Sequence, residues 1–102
     1  MTLRFFEEAE AEFLEASRWY ARDDVTVATD LARAVHERLA RAVAVPGAGR
    51  LETRAPPRFE LRWYPVDRFP YSLLVGTVSG ERVVVAVAHE RRRPGYWRER
   101  MK

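Results

Sequence analysis

The residues best suited to chemistry are grouped near the C-terminus, directly after the most apolar run of the sequence. Arg82 to Trp97 reads RVVVAVAHERRRPGYW, so an apolar segment leads directly into cations and then into two aromatics. His89 can exchange a proton near neutral pH, and Arg91, Arg92 and Arg93 can bind carboxylates or phosphates through their planar guanidinium groups. The segment therefore predicts a functional end on a buried strand.

The charge of the chain is divided unevenly between its two halves. The full chain of 102 residues has a net charge of +3. Residues 1–49 hold six Arg and nine acidic residues, whereas residues 50–102 hold eleven Arg, one Lys and six acidic residues. A basic C-terminal half predicts an acidic or polyanionic partner. Because the single lysine is Lys102, a lysine-dependent active site is not expected.

Composition excludes several other classes of protein. The chain has no cysteine, which excludes disulfides, thiolate catalysis and cysteine-ligated zinc. The N-terminus lacks the apolar core of a signal peptide, and no apolar run approaches the roughly 18 residues of a membrane span. Gly47-Ala48-Gly49 follows a helical pattern rather than a strand and is not a nucleotide-binding loop. We expect one cytoplasmic domain over residues 1–102, without metal, cofactor or membrane contact.

Two amphipathic helices must support this site, and both are predicted in the first half. The first runs from Glu7 to Arg22. Its apolar residues recur every three or four positions: Phe6, Ala9, Phe13, Ala16 and Tyr20. Its acidic residues fall on another face, which is expected to be solvated: Glu8, Glu12 and Glu15. Asp23-Asp24 interrupts the pattern and can cap a second helix, Val25 to Ala44, so that the two form an antiparallel hairpin.

The remaining elements are strands. Four segments have strand composition: Thr2–Phe6, Phe59–Tyr64, Phe69–Val78 and Glu81–Ala88. Apolar and polar residues alternate in the second segment, as in a half-covered antiparallel strand, whereas the last is apolar enough to be covered on both faces. A long coil over residues 45–57 precedes them, Pro65–Arg68 forms a turn, and Ser79-Gly80 closes a hairpin. The order β-α-α-β-β-β predicts an α+β domain in which a helical hairpin covers one face of a mainly antiparallel sheet.

Several short motifs occur in a recognisable order along the chain. They are Trp19-Tyr20 at the end of the first helix, Pro46 and Gly49-Arg50 in the loop, Arg68-Phe69-Pro70-Tyr71 before a strand, Val85-Ala86-Val87-Ala88-His89, and Arg93-Pro94-Gly95-Tyr96-Trp97. In these motifs the chain resembles the RelE/ParE superfamily of bacterial type II toxins. The resemblance implies a small toxin that is neutralised by a cognate antitoxin, whose C-terminal segment docks on it.

The superfamily contains two kinds of toxin, ribosome-dependent mRNA endonucleases like RelE and gyrase-directed toxins like ParE. RNA cleavage needs groups that move protons and cations that stabilise the phosphorane, and arginine is a poor base because its guanidinium stays protonated. RelE-like nucleases carry basic residues at the positions of Glu60 and Arg62 and close to Ser72. This chain retains only Arg62 of those three, which favours the ParE-like function with DNA gyrase as target.

Three functions remain open: the ParE-like toxin, a RelE-like endonuclease acting on the ribosome and mRNA, and a nontoxic module that binds an acidic partner or nucleic acid. For the nuclease, the resemblance indicates these site residues: Arg62, His89, Arg92 and Tyr96. For binding of the antitoxin or the target, the candidates are Arg62, Arg68, Arg91, Arg92 and Arg93. Tyr96 and Trp97 are expected to pack the C-terminal tail on the sheet.

Overall fold

The computed structural model describes residues 3–101, in which two α-helices and three short 3-10 helices accompany a five-stranded sheet. The strands are β1 (Arg4–Phe5), β2 (Arg50–Leu51), β3 (Arg62–Pro65), β4 (Tyr71–Val78) and β5 (Glu81–His89). The helices are α1 (Glu7–Ala21) and α2 (Val25–Ala44). The α+β class and the helical hairpin are confirmed, and α2 has the predicted bounds. Thr2, at the start of the predicted first strand, lies outside the described residues.

The sheet has the strand order β1-β5-β4-β3-β2. β1 pairs with β5 in parallel, and the other neighbours are antiparallel. β5 is an interior strand, and residues 83–88 are buried as predicted. The register between β4 and β5 moves from Val75↔Val84 to Leu74↔Ala86, so Val85 is an extra residue that forms a β-bulge. Ser79 and Gly80, with φ of 52° and 79°, make the predicted hairpin turn.

The helical hairpin covers one face of the sheet. Asp24 caps α2 by accepting a 2.8 Å hydrogen bond from the N–H of Thr26, which confirms the predicted cap. Apolar residues of both helices are buried against the sheet: Ala9, Ala16, Leu31, Val35 and Ala42. The helical hairpin therefore packs against residues of β3, β4 and β5.

The C-terminal tail covers the opposite face. A 3-10 helix, Tyr96–Met101, places Trp97 in a second core with only 1% of the residue exposed. That core also contains Leu61, Leu74, Val83, Val85 and Ala86. The expectation that Trp97 packs the tail on the sheet is confirmed, and the tail therefore has a fixed place relative to the end of β5.

Three predictions about the middle of the chain are wrong. The predicted strand Phe59–Tyr64 begins three residues late, because Pro57–Phe59 forms a 3-10 turn and Glu60 adopts a left-handed conformation with φ of 50°. This strand is also covered on both faces, since Tyr64 is buried in the helix-side core and donates a hydrogen bond to the carbonyl of Pro46. The predicted coil over residues 45–57 contains strand β2, which pairs with β3.

Candidate functional site

A pocket of about 350 Å³ lies at the carboxyl end of β5, where the strand meets the C-terminal tail. Its cations are Arg50, Arg54, Arg92 and Arg93, and its other lining residues include His89, Tyr96, Trp63 and Ser72. We call it the arginine pocket. Strand β5 carries His89, the turn after it carries Arg92 and Arg93, and the irregular segment around β2 contributes Arg50 and Arg54.

His89 is held in a defined orientation at the mouth of this pocket. Its Nδ1 accepts a 3.1 Å hydrogen bond from the N–H of Arg91, and its ring meets Tyr71 edge-on with 5.1 Å between ring centroids. Because Nδ1 is an acceptor, the neutral imidazole carries its proton on Nε2. His89 also makes the turn compact, since the N–H of Arg92 bonds to its carbonyl at 3.0 Å.

The tail is fastened by Glu12, which sequence reasoning assigned to a solvated helix face. Its Oε1 accepts from the N–H of Val87 (2.9 Å) and from Nη1 of Arg100 (2.9 Å). Its Oε2 accepts from the hydroxyl of Tyr96 (2.7 Å) and from Nη2 of Arg100 (2.9 Å). The side chains of Glu12 and Arg100 are only 18% and 12% exposed, so the ion pair is largely removed from water. The expectation of a solvated position is therefore wrong for Glu12.

Glu12 and Arg100 also complete the edge of β5. Strand β1 is only two residues long and pairs with β5 at Val83 and Val84, so the outer edge of β5 continues beyond it. There Val87 donates its N–H to Glu12, and Val85 accepts a 3.0 Å hydrogen bond from Nη1 of Arg100. A carboxylate and a guanidinium thus supply the acceptor and donor that a longer β1 would have supplied.

The network lowers the pKa of its carboxylate and raises the pKa values of its phenol and its guanidinium. Burial acts to raise the pKa of Glu12, but hydrogen bonds from Arg100, Tyr96 and Val87 outweigh burial and lower it. Burial and the hydrogen bond to Glu12 raise the pKa of Tyr96, so its hydroxyl remains protonated. The hydrogen bond to Glu12 raises the pKa of Arg100. Tyr96 is a fixed donor to Glu12, with Arg92 stacked over its ring at 4.1 Å.

A second buried carboxylate, Glu52, fixes the other wall of the pocket. Its side chain is 1% exposed and accepts hydrogen bonds from Nε1 of Trp63 (2.9 Å) and from the backbone N–H of Arg54 (2.6 Å). Burial acts to raise the pKa of Glu52, but these hydrogen bonds and the positive charge of Arg54 lower it overall. Sequence reasoning missed Glu52, because its position in an irregular loop carries no periodic signal.

The structure separates the sequence-predicted residues into two sets. His89, Arg92, Arg93 and Tyr96 line the arginine pocket together. Arg62 lies outside its lining and donates a 2.8 Å hydrogen bond to the carbonyl of Gly49. Arg68 lies 3.7 Å from Asp30 of α2, and Arg91 is exposed on the turn. Arg50 and Arg54 are the pocket cations that sequence reasoning did not single out.

Residues 3–101 contain neither a cluster of metal ligands nor a membrane-spanning helix. Within this range, no group of three or more His, Cys, Asp or Glu side chains could hold a metal ion. None of the helices in the same range is long and apolar enough to cross a membrane.

Comparison with known proteins gives a structural match. No protein-family model matches the sequence, and no curated protein matches it significantly. Nine chains of solved structures match. One belongs to a structure described as "Chromosomal ParDE TA system from P. aeruginosa", with a TM-score of 0.69 and 20% sequence identity, over 87% of this chain and 95% of that chain. The protein described here therefore has the RelE/ParE-like fold that its sequence motifs predict.

Proposed function

We propose that the protein is the toxin of a type II toxin–antitoxin system, acts in the cytoplasm on DNA gyrase as ParE-like toxins do, and is neutralised by a cognate antitoxin. The observation that carries this proposal is the extent of the structural match. A ParDE toxin–antitoxin structure shares the fold over 87% of this chain and 95% of its own. The two chains therefore correspond over most of their lengths.

The chemistry of the arginine pocket agrees with a protein that binds acidic groups. Arg50, Arg92 and Arg93 line it, and within residues 3–101 none of these three has a carboxylate within 4.0 Å. Such free guanidinium groups suit the carboxylates of an acidic antitoxin segment or an acidic surface of the target. Arg62, Arg68 and Arg91 remain further candidates for the same binding role.

The same geometry gives less support to the mRNA endonuclease. That reaction needs a group that takes the proton of the 2′-hydroxyl and another that protonates the leaving oxygen. Tyr96 is a poor candidate for either, since its hydroxyl is committed to Glu12 and its pKa is raised. Arg62 lies outside the pocket that contains His89 and Arg92. Of the four residues indicated for the nuclease, this leaves His89 alone as a residue of the type that most often serves as a general base.

Two assays on the purified protein test the proposal. We expect it to inhibit gyrase supercoiling or to produce gyrase-dependent DNA breaks, and to leave mRNA intact on translating ribosomes. Addition of the small protein encoded by the adjoining reading frame should abolish the effect on gyrase. Ribosome-dependent mRNA cleavage without an effect on gyrase would instead establish the endonuclease. Absence of growth arrest on expression, with no activity in either assay, would leave a nontoxic binding module.

A further inference from the structure

A second groove, of about 390 Å³, lies between the C-terminal end of α1 and the ends of β4 and β5. Three of its lining residues are aromatic, and three are arginines: Trp19, Tyr20, Tyr71, Arg18, Arg22 and Arg92. We call it the tryptophan groove. Its volume is at the lower end of the range for ligand pockets, which suits one or two inserted side chains rather than a large cofactor.

Trp19 lies exposed in this groove instead of being packed in either core. Its residue surface is 62% exposed, in contrast to 1% for Trp97 in the tail-side core. No residue among 3–101 accepts a hydrogen bond from its indole N–H, and its ring is steadied by the guanidinium of Arg22 at 5.5 Å. An exposed, oriented tryptophan whose N–H is free is the type of side chain that commonly anchors protein–protein interfaces.

The charges around the groove specify the chemistry of its occupant. Across residues 3–101, no carboxylate lies within 4.0 Å of a guanidinium of Arg18, Arg22 or Arg92. Glu12 lines the groove but is already neutralised by Arg100, which leaves Glu15 as the acidic group facing three arginines. A segment that carries both acidic and large apolar side chains complements this surface.

The arginine pocket and the tryptophan groove form one continuous surface, because His89 and Arg92 line both of them. We propose that the tryptophan groove receives an aromatic or large aliphatic side chain of the antitoxin, carried on an acidic segment that continues over Arg92 into the arginine pocket. This inference rests on the proposed function, since it assigns the docking site of the proposed antitoxin. Two residues that line the tryptophan groove, Glu12 of α1 and Val87 of β5, are joined by a hydrogen bond, which ties the helix to the strand beneath the docked segment.

Replacing Trp19 tests the inference without endangering the fold, because this side chain is mostly exposed. The probe is the purified protein encoded by the adjoining reading frame, titrated by calorimetry against the full chain. Trp19→Ala should weaken its affinity roughly 30-fold or more, the loss typical of an interface hot spot, with an unchanged melting temperature. Leu14→Ala is the matched control: this residue is 43% exposed on the same helix and lies outside both groove linings.

Fluorescence provides a second measurement on the wild-type protein. Binding should shift the emission of Trp19 to shorter wavelength, and this component should be missing from the Trp19→Ala complex. If the complex forms and Trp19→Ala binds as tightly as Leu14→Ala, the docking site is wrong while the toxin–antitoxin assignment stands. If the wild-type chain forms no complex with the neighbouring protein, the proposed function fails, and the docking site fails with it.

Discussion

Replacement of Glu12 by glutamine is the most informative single change, because the side chain keeps its shape and loses its charge. Each carboxylate oxygen of Glu12 accepts two hydrogen bonds, and all the partners are donors: Val87 N–H, the Tyr96 hydroxyl and both terminal nitrogens of Arg100. Whichever way the amide is turned, its NH₂ group faces two donors. Hydrogen bonds to charged groups contribute about 1.5–3 kcal/mol each, so the loss should total about 3 kcal/mol in this partly exposed site. For a domain of this size, that lowers the melting temperature by roughly 12–24 °C.

The dependence of this loss on pH follows from the sign of the pKa shift. The pKa of Glu12 is lower in the folded protein than in the unfolded chain, so its contribution is complete above the unfolded value of about 4.3 and is lost as the pH falls through the folded value. The stability difference between wild type and Glu12→Gln should therefore shrink between pH 7 and pH 3. Glu10→Gln, at an exposed position of the same helix, is the control and should change stability by about 0.5 kcal/mol or less.

Thermal unfolding followed by circular dichroism measures both effects, and amide hydrogen exchange locates them. In Glu12→Gln the amide of Val87 should exchange faster, because its acceptor becomes either an uncharged amide oxygen or an NH₂ group that cannot accept. The reasoning would be refuted if Glu12→Gln were no less stable than Glu10→Gln at pH 7. A stability difference that grew as the pH fell would refute the assigned direction of the pKa shift.

Two further changes test the tail and the packing of the sheet. Trp97→Ala should lower the free energy of unfolding by about 3–5 kcal/mol, because the residue is only 1% exposed. The control Val25→Ala, at 70% exposure, should change the free energy of unfolding by about 0.5 kcal/mol or less. Equal melting temperatures for the two variants would show that the tail is loose. Gly76→Ala should lower the free energy of unfolding by about 1–3 kcal/mol in a denaturant titration, because the new Cβ would lie 2.6 Å from the carbonyl oxygen of Phe59. The control Gly47→Ala should leave the free energy of unfolding unchanged, since a Cβ there would meet nothing within 4 Å. Equal denaturation midpoints would show that Gly76 has room for a methyl group.

The elements that could be predicted from the sequence are those specified by local signals. α2 has its predicted bounds because an apolar stripe runs along it and Asp24 caps it at the residue before its first turn. The hairpin of β4 and β5 follows from two apolar runs around Ser79-Gly80. Strand β2 could not be predicted, since it has only two residues and exists through its pairing with β3. The start of β3 was misplaced because the left-handed conformation of Glu60 falls inside an alternating pattern that looks like a strand.

The candidate site likewise contains residues whose position could be predicted from the sequence and one whose role could not. His89, Arg92 and Tyr96 were predictable because they follow a buried strand closely in sequence, and the strand fixes where they emerge. The role of Glu12 was not predictable, since Val87 and Arg100 lie 75 and 88 residues further along the chain. Nothing in helical periodicity separates Glu12 from Glu8 or Glu15. Only the tertiary fold shows that one of these three carboxylates meets the open edge of β5.

The arginines of the C-terminal half include some that are paired with a carboxylate and others that are not. Arg54 and Arg100 each face a carboxylate, Glu52 or Glu12, and these pairs hold the loop and the tail that form the walls of the arginine pocket. Arg92 is different, because it stacks on the ring of Tyr96 and has no carboxylate within 4.0 Å among residues 3–101. The guanidinium of Arg100 also lies over the Tyr96 ring, 5.0 Å from its centroid, so a carboxylate bound at Arg92 would relieve the repulsion between the two cations. Because the attraction between Arg92 and such a carboxylate would act at an open surface, it should weaken as salt is raised, whereas the Glu12–Arg100 pair, with side chains only 18% and 12% exposed, is screened much less.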